Sequence, residues 1–180
     1  TTADYRSEFG RISSSLQMAE TFGDWCSLYR KLANWEVDLS ESTDQSIKEV
    51  LTYQKSEANQ EFCKFVRRNY YNWINKRSDD TPVMSHTLMR TNVFPVVDEN
   101  PKTTLLLIDN FRYDQWRSIS SLLRGYYDVA LDDFYCAILP TATQYARNAV
   151  FAGLMPLAID RLMPNKWLND NEEGGKNQYE

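Results

Sequence analysis

The apolar residues of this 180-residue chain change their spacing near Thr103, and that change limits the fold more than any other feature. Up to residue 78 they recur every three or four positions, the period of one helical face. From Thr103 they run together instead. "TTLLLIDN" is a continuous apolar stretch, as a strand covered on both faces requires. Both patterns in series predict an α/β protein, helical first and sheet-containing afterwards.

The first part predicts three amphipathic helices. Tyr5, Phe9, Ile12 and Leu16 form one stripe, and Trp25, Leu28, Leu32, Trp35 and Leu39 form a second. Thr21 and Asp24 make a capping-box pattern with Asp in place of the usual Glu, so the second helix should start near Thr21. The third helix should follow "ESTD". Its face is Ile47, Leu51, Ala58, Phe62, Phe65 and Trp73, with Gln54 and Asn69 as polar interruptions. Joined by short turns, these predict a three-helix bundle over residues 1–78. The charged, proline-ended "NKRSDDTP" marks a boundary, and residues 79–102 read as a linker with a short helix capped near Ser85 and ended by Pro95.

After the apolar run, "RYDQWRSISSLLRGYY" predicts a helix with Trp116, Ile119, Leu122 and Leu123 on one side. "DVALDDFYCAILPT" is further strand material, and "QYARNAVFAG" a second helix that should stop at Gly153. Strand–helix–strand–helix is the right-handed parallel start of a doubly wound sheet, here over residues 103–180. A sheet of two or three strands buries too little to stand alone, so more strands are expected beyond Glu180. With Thr1 at one end and the loop-like "NEEGGKNQYE" at the other, the chain reads as a fragment.

Composition narrows the function classes. Hydrophobic residues at 42% and aromatics at 13% suit a packed core, and a formal charge of −5 argues against a broad basic surface for duplex DNA. Cys26, Cys63 and Cys136 are scattered and odd in number, as expected of reduced thiols in a cytoplasmic protein. No apolar stretch approaches the roughly 18–20 residues that span a bilayer, and no signal-peptide pattern opens the chain.

The chemistry gathers where the apolar runs end. In open α/β sheets functional groups collect at the carboxyl ends of strands, and Asp109 stands there. It reads either as a hard oxygen ligand for a divalent cation or as a turn carboxylate bonded to nearby backbone. The threonines of "LPTAT" read either as helix caps or as hydroxyls at a helix N-terminus, where free N–H groups favour phosphate. A threonine hydroxyl becomes a useful nucleophile when a metal lowers its pKa. Asp109 and Thr143 are 34 positions apart (143 − 109), about one βαβ unit, so one cation can touch both. No G-x-G-x-x-G or Walker loop follows the first run, which argues against a nucleotide-binding appendage.

"LLLIDNFRYDQW", "AILPTATQYARNAVFAGLMP" and the tryptophan of "NKWLND" resemble the start of a PglZ domain, a branch of the alkaline phosphatase superfamily. "DYRSEFGRI" and "DWCSLYRKLANWEVDL" resemble the helical bundle of PorX-type response regulators of the type IX secretion system, whose order is receiver, three-helix bundle, phosphatase domain. The resemblance implies a zinc-dependent phosphohydrolase effector acting on phosphodiesters, oligonucleotides among them. It implies Asp109 as the first zinc-ligating carboxylate and Thr143 as nucleophile and metal contact. Thr141 would shape the turn, and Arg147 and Asn148 would face substrate oxygens. Arg112 and Asp114 would form a supporting ion pair. The implied partners are secretion components and a transcription factor, with a homodimer forming on receiver phosphorylation. The sequence departs from the family pattern in two ways. Superfamily members bind two zinc ions with later Asp and His ligands, whereas the one histidine here, His86, precedes the domain. The receiver is also lacking. The chain as given is therefore expected to bind zinc poorly and turn over little. The competing expectation is a non-catalytic regulatory or dimerisation module that uses the phosphatase fold as a scaffold.

Overall fold

The computed structural model describes residues 2–76, 78–172 and 174–179, with side chains from residue 7 onward. Tyr5 of the first stripe therefore lies outside the described side chains. The chain divides into two compact units. One is Thr1–Thr81 with Asn110–Asp132, and the other is Pro82–Asp109 with Asp133–Glu180.

The first unit is built on α1 (Thr2–Met18), α2 (Phe22–Asp38) and α3 (Gln45–Asn75), each of which contacts the other two. The expected capping box is formed. The Thr21 side chain accepts from Asp24 N, and Asp24 Oδ2 accepts from Thr21 N at 2.9 Å, so two orphan donors are satisfied at the start of α2. Asp44 caps α3 by accepting from Ser46 N and Ile47 N. Most of the predicted stripes turn inward: Ile12, Leu16, Trp25, Leu28, Leu32, Leu39, Ile47, Leu51, Ala58, Phe65 and Trp73 are buried, whereas Trp35 and Phe62 are half-buried and Phe9 is exposed. Trp25 lies 5.5 Å from Phe62 and 5.9 Å from Phe65 between ring centroids, and Phe65 lies 5.5 Å from Trp73. Burying one such large side chain contributes about 1.5–3 kcal/mol. Gln54 is buried as well, because its amide donates to Phe9 O and Ser13 Oγ on α1, both at 3.2 Å.

Helix α6 (Tyr113–Leu123) belongs to this first unit and packs on α2. Its expected inner side is not buried. Ile119, Leu122 and Leu123 are exposed, and the buried residue of α6 is Ser120. That side was expected to cover a sheet, and among the described residues the unit has no sheet for it to cover.

The second unit opens with a helical path through α4 (Ser85–Leu88), a π turn (Met89–Val93) and α5 (Phe94–Glu99). Pro95 does not end this path, contrary to expectation. Phe94 N–H reaches back five residues to Met89 O, and the widened turn makes room for a ring that would clash in a regular helix. The unit continues with α7 (Thr143–Ala152) and α8 (Pro156–Leu162). α7 stops at Gly153 as expected, where φ is 64° and a Cβ would stand 3.8 Å from His86 O on α4. The core is Met84, Ile138, Ala149, Val150 and Ile159.

The doubly wound sheet expected over residues 103–180 is not formed among the described residues. Residues 103–108 have no regular structure, and Leu105, Leu106, Leu107 and Ile108 are all exposed. The later run pairs elsewhere. Cys136 makes an isolated parallel bridge with Met84, through Cys136 N to Val83 O at 2.8 Å and Ser85 N to Cys136 O at 3.2 Å. A strand's hydrogen bonds lie outside the strand, so an apolar run without a neighbour has nothing to close onto.

Candidate functional site

Two local devices deliver the expected site residues. Asn110 adopts a left-handed conformation with φ of 54°, which asparagine tolerates, and it turns the chain directly after Asp109. Thr143 is the first residue of α7, where Ala142 O accepts from Tyr145 N at 2.9 Å and Ala146 N at 3.0 Å. Ala149 and Val150 seat the helix in the core of the second unit.

Asp109, Thr143 and Arg147 come together. Thr143 Oγ1 donates to Asp109 Oδ2 at 3.3 Å, and Arg147 Nη1 donates to the same oxygen at 3.2 Å. Thr143 and Arg147 are four residues apart on α7 and so share a face. The Asp109 side chain is 52% exposed and that of Arg147 is 26% exposed, so the pair is open to solvent on the carboxylate side. Tyr135 joins this surroundings. Burial, and then the charge of Asp109, push its phenol above the ordinary tyrosine range. Sequence reasoning passed over Tyr135. The signal was the alternation in "FYCAIL", in which Cys136 and Ile138 are buried and Tyr135 faces the other way.

Asn148 takes a different direction from the trio. Its carboxamide nitrogen donates to Gln144 O and Lys176 O, both at 2.8 Å, which ties the short 3-10 turn Gly175–Asn177 to α7. Lys176 reinforces this clasp, lying 5.8 Å from the Tyr145 ring and 5.6 Å from that of Trp167 and pairing with Asp170 at 3.1 Å. Thr141 lies on the exposed turn before α7. Arg112 and Asp114 pair with each other through two bonds of 2.9 and 2.7 Å, and this fork holds the Asp114 carboxyl below the usual carboxylate range.

Asp109 and Thr143 offer two oxygens to a metal ion. Two oxygens about 2.0–2.2 Å from one tetrahedral zinc ion lie roughly 3.3–3.6 Å apart, and the observed 3.3 Å meets that geometry. The donor set is nonetheless too small. No group of three or more His, Cys, Asp or Glu side chains comes together among the described residues, and zinc takes three or four protein ligands. The Arg147 guanidinium also occupies the carboxylate oxygen that a cation would take. The residues present fit one edge of a zinc site and not a whole one.

Comparison with known families places both parts of the chain. Residues 1–74 match the PorX response regulator linker domain. Residues 88–180 match the BREX system PglZ alkaline phosphatase-like domain. No curated protein matches the chain.

Proposed function

From the premise that the chain belongs to the PglZ alkaline phosphatase-like family and joins it to a PorX-type response regulator linker, we propose that it carries the nucleophile side of a zinc-dependent phosphodiesterase effector. In this reading residues 1–78 form a three-helix bundle, residues 79–102 link it, and residues 103–180 are the first part of the alkaline-phosphatase-like domain. The reading requires further metal ligands besides Asp109 and Thr143. The observation that carries the reading is the 3.3 Å approach of Thr143 Oγ1 to Asp109 Oδ2 at the first turn of α7.

Each residue then has a task. Thr143 Oγ1 bonds to the phosphorus of a phosphodiester as the ester oxygen departs, and the hydroxyl proton reaches the departing alkoxide through solvent. Water next cleaves the phospho-threonine, releasing a phosphomonoester and restoring the hydroxyl. Asp109 orients the nucleophile before attack. Arg147 offers a charged donor to the non-bridging phosphoryl oxygens, and the free N–H groups opening α7 favour the same anion. Asn148 holds α7 in place from behind. Zinc would supply the positive charge that makes a threonine hydroxyl nucleophilic near neutral pH.

The test is hydrolysis of bis(p-nitrophenyl) phosphate by the full-length regulator with zinc, compared with a Thr143→Ala variant. Loss of the nucleophile should lower kcat on the order of 10³-fold or more. A variant that keeps the full zinc-dependent rate would show that Thr143 is not the nucleophile. A second reading, a non-catalytic module that couples receiver phosphorylation to dimerisation or to secretion and transcription partners, is favoured by the incomplete donor set. It predicts no zinc-dependent hydrolysis by the full-length protein at all.

A further inference from the structure

Within the second unit, helix α7 is gripped from two sides. On one side Thr143 and Arg147 reach Asp109 Oδ2 at 3.3 and 3.2 Å. On the other, Asn148 donates to Lys176 O at 2.8 Å, and the Tyr145 ring lies 6.0 Å from that of Trp167. The Lys176 ammonium stands 5.8 Å from the first ring and 5.6 Å from the second. A helix turns the chain about 100° per residue. Thr143 and Arg147 are therefore about 40° apart around the axis, Tyr145 and Asn148 about 60° apart, and the two pairs face about 150° away from each other. The side that meets Asp109 and the side that meets Lys176 are nearly opposite, so the grip on one sets the angle of the other.

Lys176 is placed to hold that angle. Its side chain is 12% exposed, and its Nζ pairs with Asp170 Oδ1 at 3.1 Å. A cation shielded from water beside two rings is attracted more strongly than an open one. The turn that carries it is itself fixed. Gly175 is buried, its N–H donates to Glu172 O at 2.9 Å, and a Cβ there would stand 3.5 Å from Asp170 Cα. Ala149 and Val150 anchor the later turns of α7 in the core, and the turns before them rest on Tyr145 and Asn148. Small angles matter here. With side chains a helix has a radius of about 5–6 Å, so a rotation of about 10° moves their ends by roughly 1 Å. A misplacement of that size at a reacting group costs up to about 10²-fold in rate.

We propose that Lys176 is a positioning residue, setting the rotation of α7 from behind and so placing Thr143 and Arg147 against Asp109. Its effect on catalysis rests on the function proposed above, whereas its hold on α7 is measured without any activity.

The experiment compares the parent with Lys176→Met, which keeps the stem and loses the charge, and Lys176→Arg, which keeps a cation that stacks on rings. In hydrogen–deuterium exchange on the full-length protein, Lys176→Met should speed exchange about tenfold at the amides of residues 145–148 and spare α1 to α3. Lys176→Arg should return it towards the parent. In hydrolysis of bis(p-nitrophenyl) phosphate with zinc, Lys176→Met should lower kcat about tenfold with KM little changed, and Lys176→Arg should restore most of it. Unchanged exchange at residues 145–148, or acceleration in every helix alike, would overturn the proposal. Faster exchange in α7 with an unaltered kcat would overturn it too, by showing a helix that is held but not positioned. No hydrolysis by the parent, or a Thr143→Ala variant at full rate, is a failure of the proposed function and not of the clasp, which the exchange result decides alone.

Discussion

The inward faces of helices α1 to α3 and the run at residues 105–108 are both built of large apolar side chains, yet Trp25, Leu32 and Phe65 are 6%, 4% and 4% exposed while Leu106 and Ile108 are 81% and 60% exposed. The contrast lies in where the hydrogen bonds close. A helix satisfies its own backbone and presents a finished apolar face, so three of them can bury that face among themselves. A strand leaves its backbone groups for a neighbour, and its side chains need a layer on each side. Apolar content is therefore no guide to burial until the hydrogen-bond partner is known. α6 gives the same lesson from the helical side: its backbone is satisfied, yet Ile119, Leu122 and Leu123 on its apolar face stay exposed.

The contrast can be put to the test by substitution. Trp25→Ala removes an aromatic that meets both Phe62 and Phe65, and should lower unfolding stability by about 3–5 kcal/mol in a chemical denaturation series. A loss below about 1 kcal/mol would mean the helical core is looser than its burial suggests. The capping box should give a smaller effect that depends on pH. Bonds from Thr21, first its backbone N–H and then its hydroxyl, with Glu20 N–H adding, hold the Asp24 carboxyl below the ordinary aspartate range. A carboxyl depressed in the folded state contributes stability that is complete above its unfolded pKa and lost as pH falls through the folded one. Asp24→Asn should therefore be destabilising at neutral pH, with the deficit shrinking on acidification. A deficit unchanged down to strongly acidic pH would remove the carboxylate from the explanation. Leu106→Ser should cost the least, within about 0.5 kcal/mol, because the side chain buries almost nothing to lose. A large destabilisation there would show that the run is covered in solution.

Much of the helical part was legible in the amino-acid order because its determinants are local. Thr21 with Asp24, Asp44 before α3, and Gly153 after α7 each act within one turn, and the spacing of Trp25, Leu28, Leu32 and Leu39 names the inward face directly. Gln54 looked like an interruption only because its partners, Phe9 O and Ser13 Oγ, are more than forty positions away. Pro95 misled for a related reason: whether a proline ends a helix depends on whether the backbone can widen around it.

The site divides along the same line. That an acidic residue ends one apolar run and a hydroxyl opens the next helix can be read from "LLLIDN" and "LPTAT" alone. That Arg147 shares Oδ2 of Asp109 with Thr143, that Tyr135 feels the same charge, and that Asn148 serves Lys176 were decided by packing. So were the Met84–Cys136 bridge and the hold of Lys176 on Tyr145 and Trp167. Period, caps and stops are interactions between near neighbours, which amino-acid order determines by itself. Pairing, and the direction a polar side chain takes, are settled between distant residues competing for the same few donors and acceptors, and only the folded chain brings those competitors together.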